Sequence, residues 1–181
     1  IINIGSNKFS KKNQIKKNND ILVIPEGFNS ETLKMFNFVM KAAIKFKNKK
    51  FIFRFHPMIN SSEFFKDFFK RDLKLPSNLI ISNKNFDQDI LNSKYIIYRG
   101  SAAAIQGLGS QKIVIYLEFS NEINIDPLYM LKKKFYVNRL SHLEKIFYNK
   151  KNIKENYKNV LFTREYFGET NYKNLINYLN R

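Results

Sequence analysis

Short apolar runs alternate along this chain with segments whose apolar residues recur at helical spacing. The runs at 21–24 (ILVI), 51–55 (FIFRF), 79–81 (LII), 95–98 (YIIY) and 113–117 (IVIYL) are each bounded by polar residues, Pro or Gly. Runs this short and this apolar predict strands buried on both faces. Between the first two, Leu33, Phe36, Met40, Ala43 and Ile44 share one side of a helix predicted over 30–47, with Ser30 as its N-cap. Ser61 or Ser62 opens a second helix carrying Phe64, Phe65, Phe68 and Phe69, and DQDILNS at 87–93 is a short third one. RGSAAAIQGLGS at 99–110 reads as a turn and a helix start. From Asn124 onward the pattern is mostly helical, clearest at 140–148 and 170–179. NIDPLY at 124–129 reads as a loop entering a helix, with Asp126 as cap and Pro127 in the first turn. Strands alternating with helices define an α/β fold: a Rossmann-like parallel sheet sandwiched by helices.

The expected division is a linker or the end of a preceding domain at 1–20, the Rossmann-like domain at 21–168, and a C-terminal helix at 169–181. The chain starts at Ile1 rather than Met, which points to a piece of a longer protein.

In a doubly covered parallel sheet, ligands bind beyond the carboxyl ends of the strands. That rule singles out three segments. PEG follows the first strand and supplies Glu26 and Gly27. RFHP ends the second and supplies Arg54, His56 and Pro57. YRGSAAAIQG follows the fourth and supplies Arg99, Gly100, Ser101, Ala102 and Gln106. Gly100 permits a tight turn, and Ser101 followed by alanines leaves backbone N–H groups open to an anion. The same residues also suit a capped helix packed closely on the sheet. Arg54 matches phosphate oxygens in a bidentate fork, and His56 can donate to a phosphate or protonate a leaving group. The plainer alternative pairs Arg54 with an acid such as Glu26 and leaves His56 to close a strand. Glu26 itself is open between a base, a ribose partner and a structural ion pair. His56 and Glu26 are the catalytic candidates.

A formal charge of +17 raises the question of nucleic acid. The lysines, however, are scattered among Asn, Ile, Phe and Tyr, residues that share A/T-rich codons, and no nucleic-acid-binding motif occurs. No nucleic-acid partner is expected. The basic clusters at 11–17 and 132–134 read as solvated loops or faces, and they suit an anionic membrane surface. With no cysteine in 181 residues, disulfides and thiolate metal sites are excluded. Two histidines in separate segments, without His-Glu-x-x-His, give no zinc pattern. There is no Walker lysine, no Gly-x-Ser-x-Gly elbow and no Gly-x-Gly-x-x-Gly after the first strand. No metal and no dissociable cofactor are expected.

The order ILVIPEG, FIFRFHP, NLIIS, KYIIYRGSAAAIQGLG, KIVIYLE and NIDPLY resembles the C-terminal half of GT-B glycosyltransferases. Over about residues 20–130 it looks like bacterial surface-carbohydrate (O-antigen or capsule) biosynthesis proteins. It is also similar to the sialyltransferases and capsule Kdo transferases that share a His-Pro motif. The resemblance implies a nucleotide-sugar donor, CMP-linked, whose phosphate is held by His56 and Ser101. It implies a cleft closed by an N-terminal domain that this chain lacks, a glycan or lipid-linked acceptor, and a cytoplasmic location at the inner face of the membrane. Gln106 stands where many of these proteins carry a ribose-binding glutamate, and its amide can bond a hydroxyl without charge. The alternatives are a sugar-nucleotide epimerase or glycerophosphate transferase of similar fold, a non-catalytic carbohydrate-assembly module, or a basic nucleic-acid binder.

Overall fold

Six parallel strands form one sheet in the order β3-β2-β1-β4-β5-β6. The strands are β1 (Asp20–Ile24), β2 (Phe51–Phe53), β3 (Leu79–Ile81), β4 (Ser93–Tyr98), β5 (Ile113–Leu117) and β6 (Phe135–Val137). The helices are α1 (Asn29–Lys45), α2 (Ser61–Phe68), α3 (Phe86–Asn92), α4 (Ala103–Gly109), α5 (Leu140–Tyr148) and α6 (Tyr172–Leu179). The structure is a computed structural model that describes residues 19–69, 73–120, 122–131, 134–149, 158–161 and 172–180. Residues 1–18, expected as a linker, and most of the basic clusters at 11–17 and 132–134 lie outside the described residues.

Each central strand is apolar throughout because both of its faces are covered. Alternate side chains divide into two cores. Ile21, Val23, Phe51, Phe53, Tyr95, Ile97 and Ile115 meet Met35, Phe36 and Val39 of α1, Phe64 of α2 and Leu143 and Phe147 of α5. Leu22, Ile24, Ile96, Tyr98, Val114 and Tyr116 meet Ile90 of α3 and Ala104 and Leu108 of α4. Phe36 is the hub of the first core: its ring lies edge-on to Phe53, Phe64, Phe65 and Phe69 at 5.1–6.2 Å. Edge-to-face pairs of this kind add to simple burial.

The strand order reverses between β1 and β4, whose ends lie side by side with Val23 opposite Ile97 and Ile24 opposite Tyr98. The carboxyl ends of β1, β2 and β4 therefore open onto one edge at a topological switch point.

Several expectations need correction. The second strand stops at Phe53 rather than Phe55, although the Arg54 N–H still reaches the Val23 carbonyl at 3.0 Å. Helix α1 begins at Asn29 after Phe28, and Ser30 does not cap it; no side chain does. Instead the Thr32 hydroxyl donates to the Glu26 carbonyl at 3.1 Å and closes the β1–α1 turn. Helix α2 is capped by Asn60, whose side-chain oxygen accepts from the N–H groups of Ser62 and Glu63. Strand β6 lies in a region expected to be helical. It is three residues long, between lysines and Asn138-Arg139, so no apolar run announces it. The segment after Asp126 is a turn, not a helix: the Asp126 carboxylate accepts from the Leu128 N–H at 2.8 Å. Lys134, expected in a solvated cluster, turns its side chain inward onto the Asp126 carboxylate at 2.7 Å.

Candidate functional site

Beyond the ends of β1, β2 and β4 lies a cleft of about 490 Å3. Glu26 enters it from β1, Arg54, Phe55, His56 and Pro57 from β2, and Gly100, Ser101, Ala102 and Ala103 from β4 and the start of α4. Ile24, Pro25 and Phe86 complete the wall.

Two glycines set how closely these loops approach. Gly100 has φ +70°, which only glycine adopts without strain, and a side chain there would overlap the Glu26 carboxylate and the tip of Ile125. Gly27 stands just behind the cleft wall, against the His56 ring; a β-carbon there would lie 3.0 Å from Nδ1. The β1 turn is thereby packed on the residues that follow both β2 and β4.

The His56 imidazole is oriented by the Met58 N–H, which donates to Nδ1 at 3.3 Å. In the neutral ring that bond assigns the proton to Nε2, leaving an N–H donor for a ligand. Arg54 lies over the Phe86 ring at 5.7 Å, and its Nη1 donates to Asp89 at 2.9 Å and to the Lys84 carbonyl. The expected alternative partner, Glu26, is not its counter-ion. The Glu26 carboxylate has no hydrogen-bond or ion-pair partner among the described residues. The Ser101 hydroxyl and the backbone N–H groups of Ser101 and Ala102 likewise have none.

The Ser101 side chain does not cap α4. That helix starts at Ala103, and Ser101 contributes only its carbonyl, which accepts from the Ala104 N–H at 3.1 Å. Two other expected residues stand apart from the cleft. Arg99 is 2% exposed and points under the loop after β5. Its Nε donates to Glu31 at 2.6 Å and its Nη2 to Glu122 at 2.7 Å, with the Tyr116 hydroxyl at 3.1 Å from Nη1. Two carboxylates consume the charge that was expected to meet a phosphate. Gln106 lies one turn into α4 and donates to Asp87 at 3.0 Å rather than facing the cleft. Conversely, Phe86 and Asp89 were not singled out in the sequence. Asn85, whose side chain caps α3, is the local signal that would have marked where α3 begins and so brought Phe86 to the cleft wall.

Comparison of the sequence with protein-family models and with curated proteins finds no match. Solved structures do match. The glycotransferase of kitacinnamycin aligns with TM-score 0.61 at 10% identity over 92% of this chain and 44% of its own. The glycosyltransferase SnogD from Streptomyces nogalater aligns with TM-score 0.58 at 12% identity, over 92% of this chain and 44% of its own. The UDP-GlcNAc 2-epimerase of Methanocaldococcus jannaschii, solved with UDP-GlcNAc and UDP, gives 0.50 at 15% identity over 80% of this chain and 46% of its own. The fold is thus the Rossmann-like α/β fold found in GT-B glycosyltransferases. The chain spans less than half the length of each of these structures. No helix among the described residues is long and apolar enough to cross a membrane.

Proposed function

We propose that this chain binds the nucleotide-sugar donor of a glycosyltransferase and forms one half of its active-site cleft. The observation that carries this reading is the meeting, at the switch point of the sheet, of a guanidinium, an imidazole N–H and two backbone N–H groups that have no partner among the described residues. Together they suit a phosphate, and they are fixed before any ligand arrives. As the glycosidic bond to the donor breaks, its electron pair passes to the phosphate oxygen. Arg54, the His56 Nε2–H and the Ser101 and Ala102 N–H groups would stabilise that growing charge. Among the described residues Glu26 has no counter-ion beside this site, which suits a hydroxyl of ribose or sugar and not the phosphate.

The finer reading is a CMP-linked donor, transfer to a glycan or lipid-linked acceptor in surface-polysaccharide synthesis, and action at the cytoplasmic face of the membrane. It rests on the order of the Arg-x-His-Pro and Gly-Ser segments in the sequence. A second domain, outside this chain, would supply the acceptor side. The epimerase among the structural matches supports a second reading, in which the same cleft holds a UDP-sugar.

Calorimetry of the chain with CMP, UMP, GMP and AMP tests the proposal. Weak binding that favours CMP is the expected result. A preference for UMP would favour the second reading. Equal binding of all four that vanishes with salt would mean charge attraction alone and would overturn both.

A further inference from the structure

We propose that Asp89 is a positioning residue for Arg54: with Ser82, it holds one end of the guanidinium so that the other edge faces the cleft as a fork for a phosphate oxygen pair. The inference rests on reading the cleft as an anion site and adds the device that makes Arg54 ready for it.

Three elements meet in this arrangement. Arg54 follows β2 and is tied to β1 by its backbone N–H, 3.0 Å from the Val23 carbonyl. Ser82 follows β3 and is tied to β2 in the same way, its N–H 2.8 Å from the Phe53 carbonyl. Asp89 sits on the buried face of α3 and is 2% exposed. Its Oδ2 accepts from the Ser82 hydroxyl at 2.5 Å and from Arg54 Nη1 at 2.9 Å. The Lys84 carbonyl accepts from the same Nη1, and the Phe86 ring lies under the guanidinium.

Among the described residues all hydrogen bonds to this side chain therefore fall on one nitrogen. Nε and Nη2 have no partner among the described residues, and the residue lines the cleft. A guanidinium has five donors in a rigid plane, so fixing Nη1 fixes the direction of the opposite edge. That edge presents two parallel N–H groups, the geometry that matches two phosphate oxygens. A free arginine would lose rotamer freedom each time it met a ligand, whereas this one has lost it already on folding. Ser82 gives Asp89 a second bond, so the carboxylate is held whether or not the cleft is filled. Ordinary structural pairing would engage the guanidinium broadly, as happens at Arg99, where Nε, Nη1 and Nη2 are all bonded to protein.

The test uses the 181-residue chain, inorganic pyrophosphate as probe, and NMR of the arginine side-chain N–H groups. In the wild type the Arg54 Nε–H resonance should stand apart from those of mobile arginines and should shift on pyrophosphate titration. In Asp89→Asn it should move to the mobile position, and pyrophosphate affinity should fall by about tenfold, because the guanidinium must then be ordered on binding. Ser82→Ala should give a smaller loss in the same direction, and it guards against an Asp89 variant that fails to fold. In an Arg54→Ala background, Asp89→Asn should remove no further affinity. An unmoved Arg54 resonance in folded Asp89→Asn overturns the proposal. So does affinity per folded molecule that stays constant while stability drops, or full additivity of the two substitutions, or a wild-type Arg54 that ignores pyrophosphate. If pyrophosphate moves Arg54 but none of the four nucleotides binds, the nucleotide reading falls and the positioning role stands.

Discussion

The imidazole of His56 rests against the Cα of Gly27, so closely that a β-carbon on residue 27 would lie 3.0 Å from Nδ1 and 3.3 Å from Cε1. Residue 27 follows β1 and residue 56 follows β2, and these strands are hydrogen-bonded neighbours. The contact thus follows from the pairing of the two strands. The Met58 N–H on Nδ1 then determines which nitrogen faces outward.

This packing separates orientation from presence. His56→Ala removes the Nε2–H donor and should weaken CMP binding by about ten- to a hundredfold, equivalent to about 1.5–3 kcal/mol. Gly27→Ala retains the donor but pushes the ring by a few tenths of an ångström, so its loss should be smaller and the melting temperature almost unchanged. His142→Ala is the control, since that ring lies at the start of α5, away from the cleft, where it accepts from Arg139 at 2.7 Å. Calorimetry on the three variants checks the order. Equal affinities for His56→Ala and His142→Ala would reduce His56 to the end of a strand.

Arg99 should behave in the opposite way. Arg99→Met leaves Glu31 and Glu122 at the end of β4 without their buried cation, although Lys34 still reaches both. The carboxylates left behind are partly exposed and keep Lys34, so the loss is that of charge-assisted hydrogen bonds, about 1.5–3 kcal/mol. Urea denaturation should show a loss at the lower end of that range, with nucleotide affinity per folded molecule unchanged. A drop in affinity at constant stability would return Arg99 to the ligand site.

Tyr98 links stability to alkaline pH. Burial first, and then the charge of Asp126, push its hydroxyl far above the ordinary value of 10.0. The folded protein therefore keeps this proton while the unfolded chain gives it up. The stabilisation is fully present below about pH 10 and is lost as pH rises beyond that, because ionisation then favours the unfolded state. Tyr98→Phe removes the 2.8 Å bond to Asp126 and should cost about 1 kcal/mol at pH 8. At pH 11 the gap between wild type and variant should narrow in urea melts. A gap that stays constant with pH would mean that Tyr98 ionises alike in both states.

What the sequence determined by itself was the sheet. Five strands were readable because a strand covered on both faces must be apolar at every position: ILVI, FIF, YIIY and IVIYL are buried throughout, while LII is as apolar but lies at the sheet edge with Ile80 exposed. The α/β class followed from their alternation with helices, and the strand-end rule picked out Glu26, Arg54, His56, Gly100 and Ser101, which the fold does gather around one cleft. Strand β6 was not readable, because three residues at a sheet edge carry too little pattern. The partners of charged groups were decided only by the tertiary structure. Arg54 and Arg99 are equivalent on paper, each an arginine just after a strand. One is held at a single nitrogen, by a buried carboxylate 35 positions away and the Lys84 carbonyl, and its other nitrogens have no partner among the described residues. The other is enclosed by Glu31, 68 positions away, together with Glu122 and Tyr116. Ion pairing depends on distance in space across elements, and hydrophobic periodicity along the chain holds no record of it.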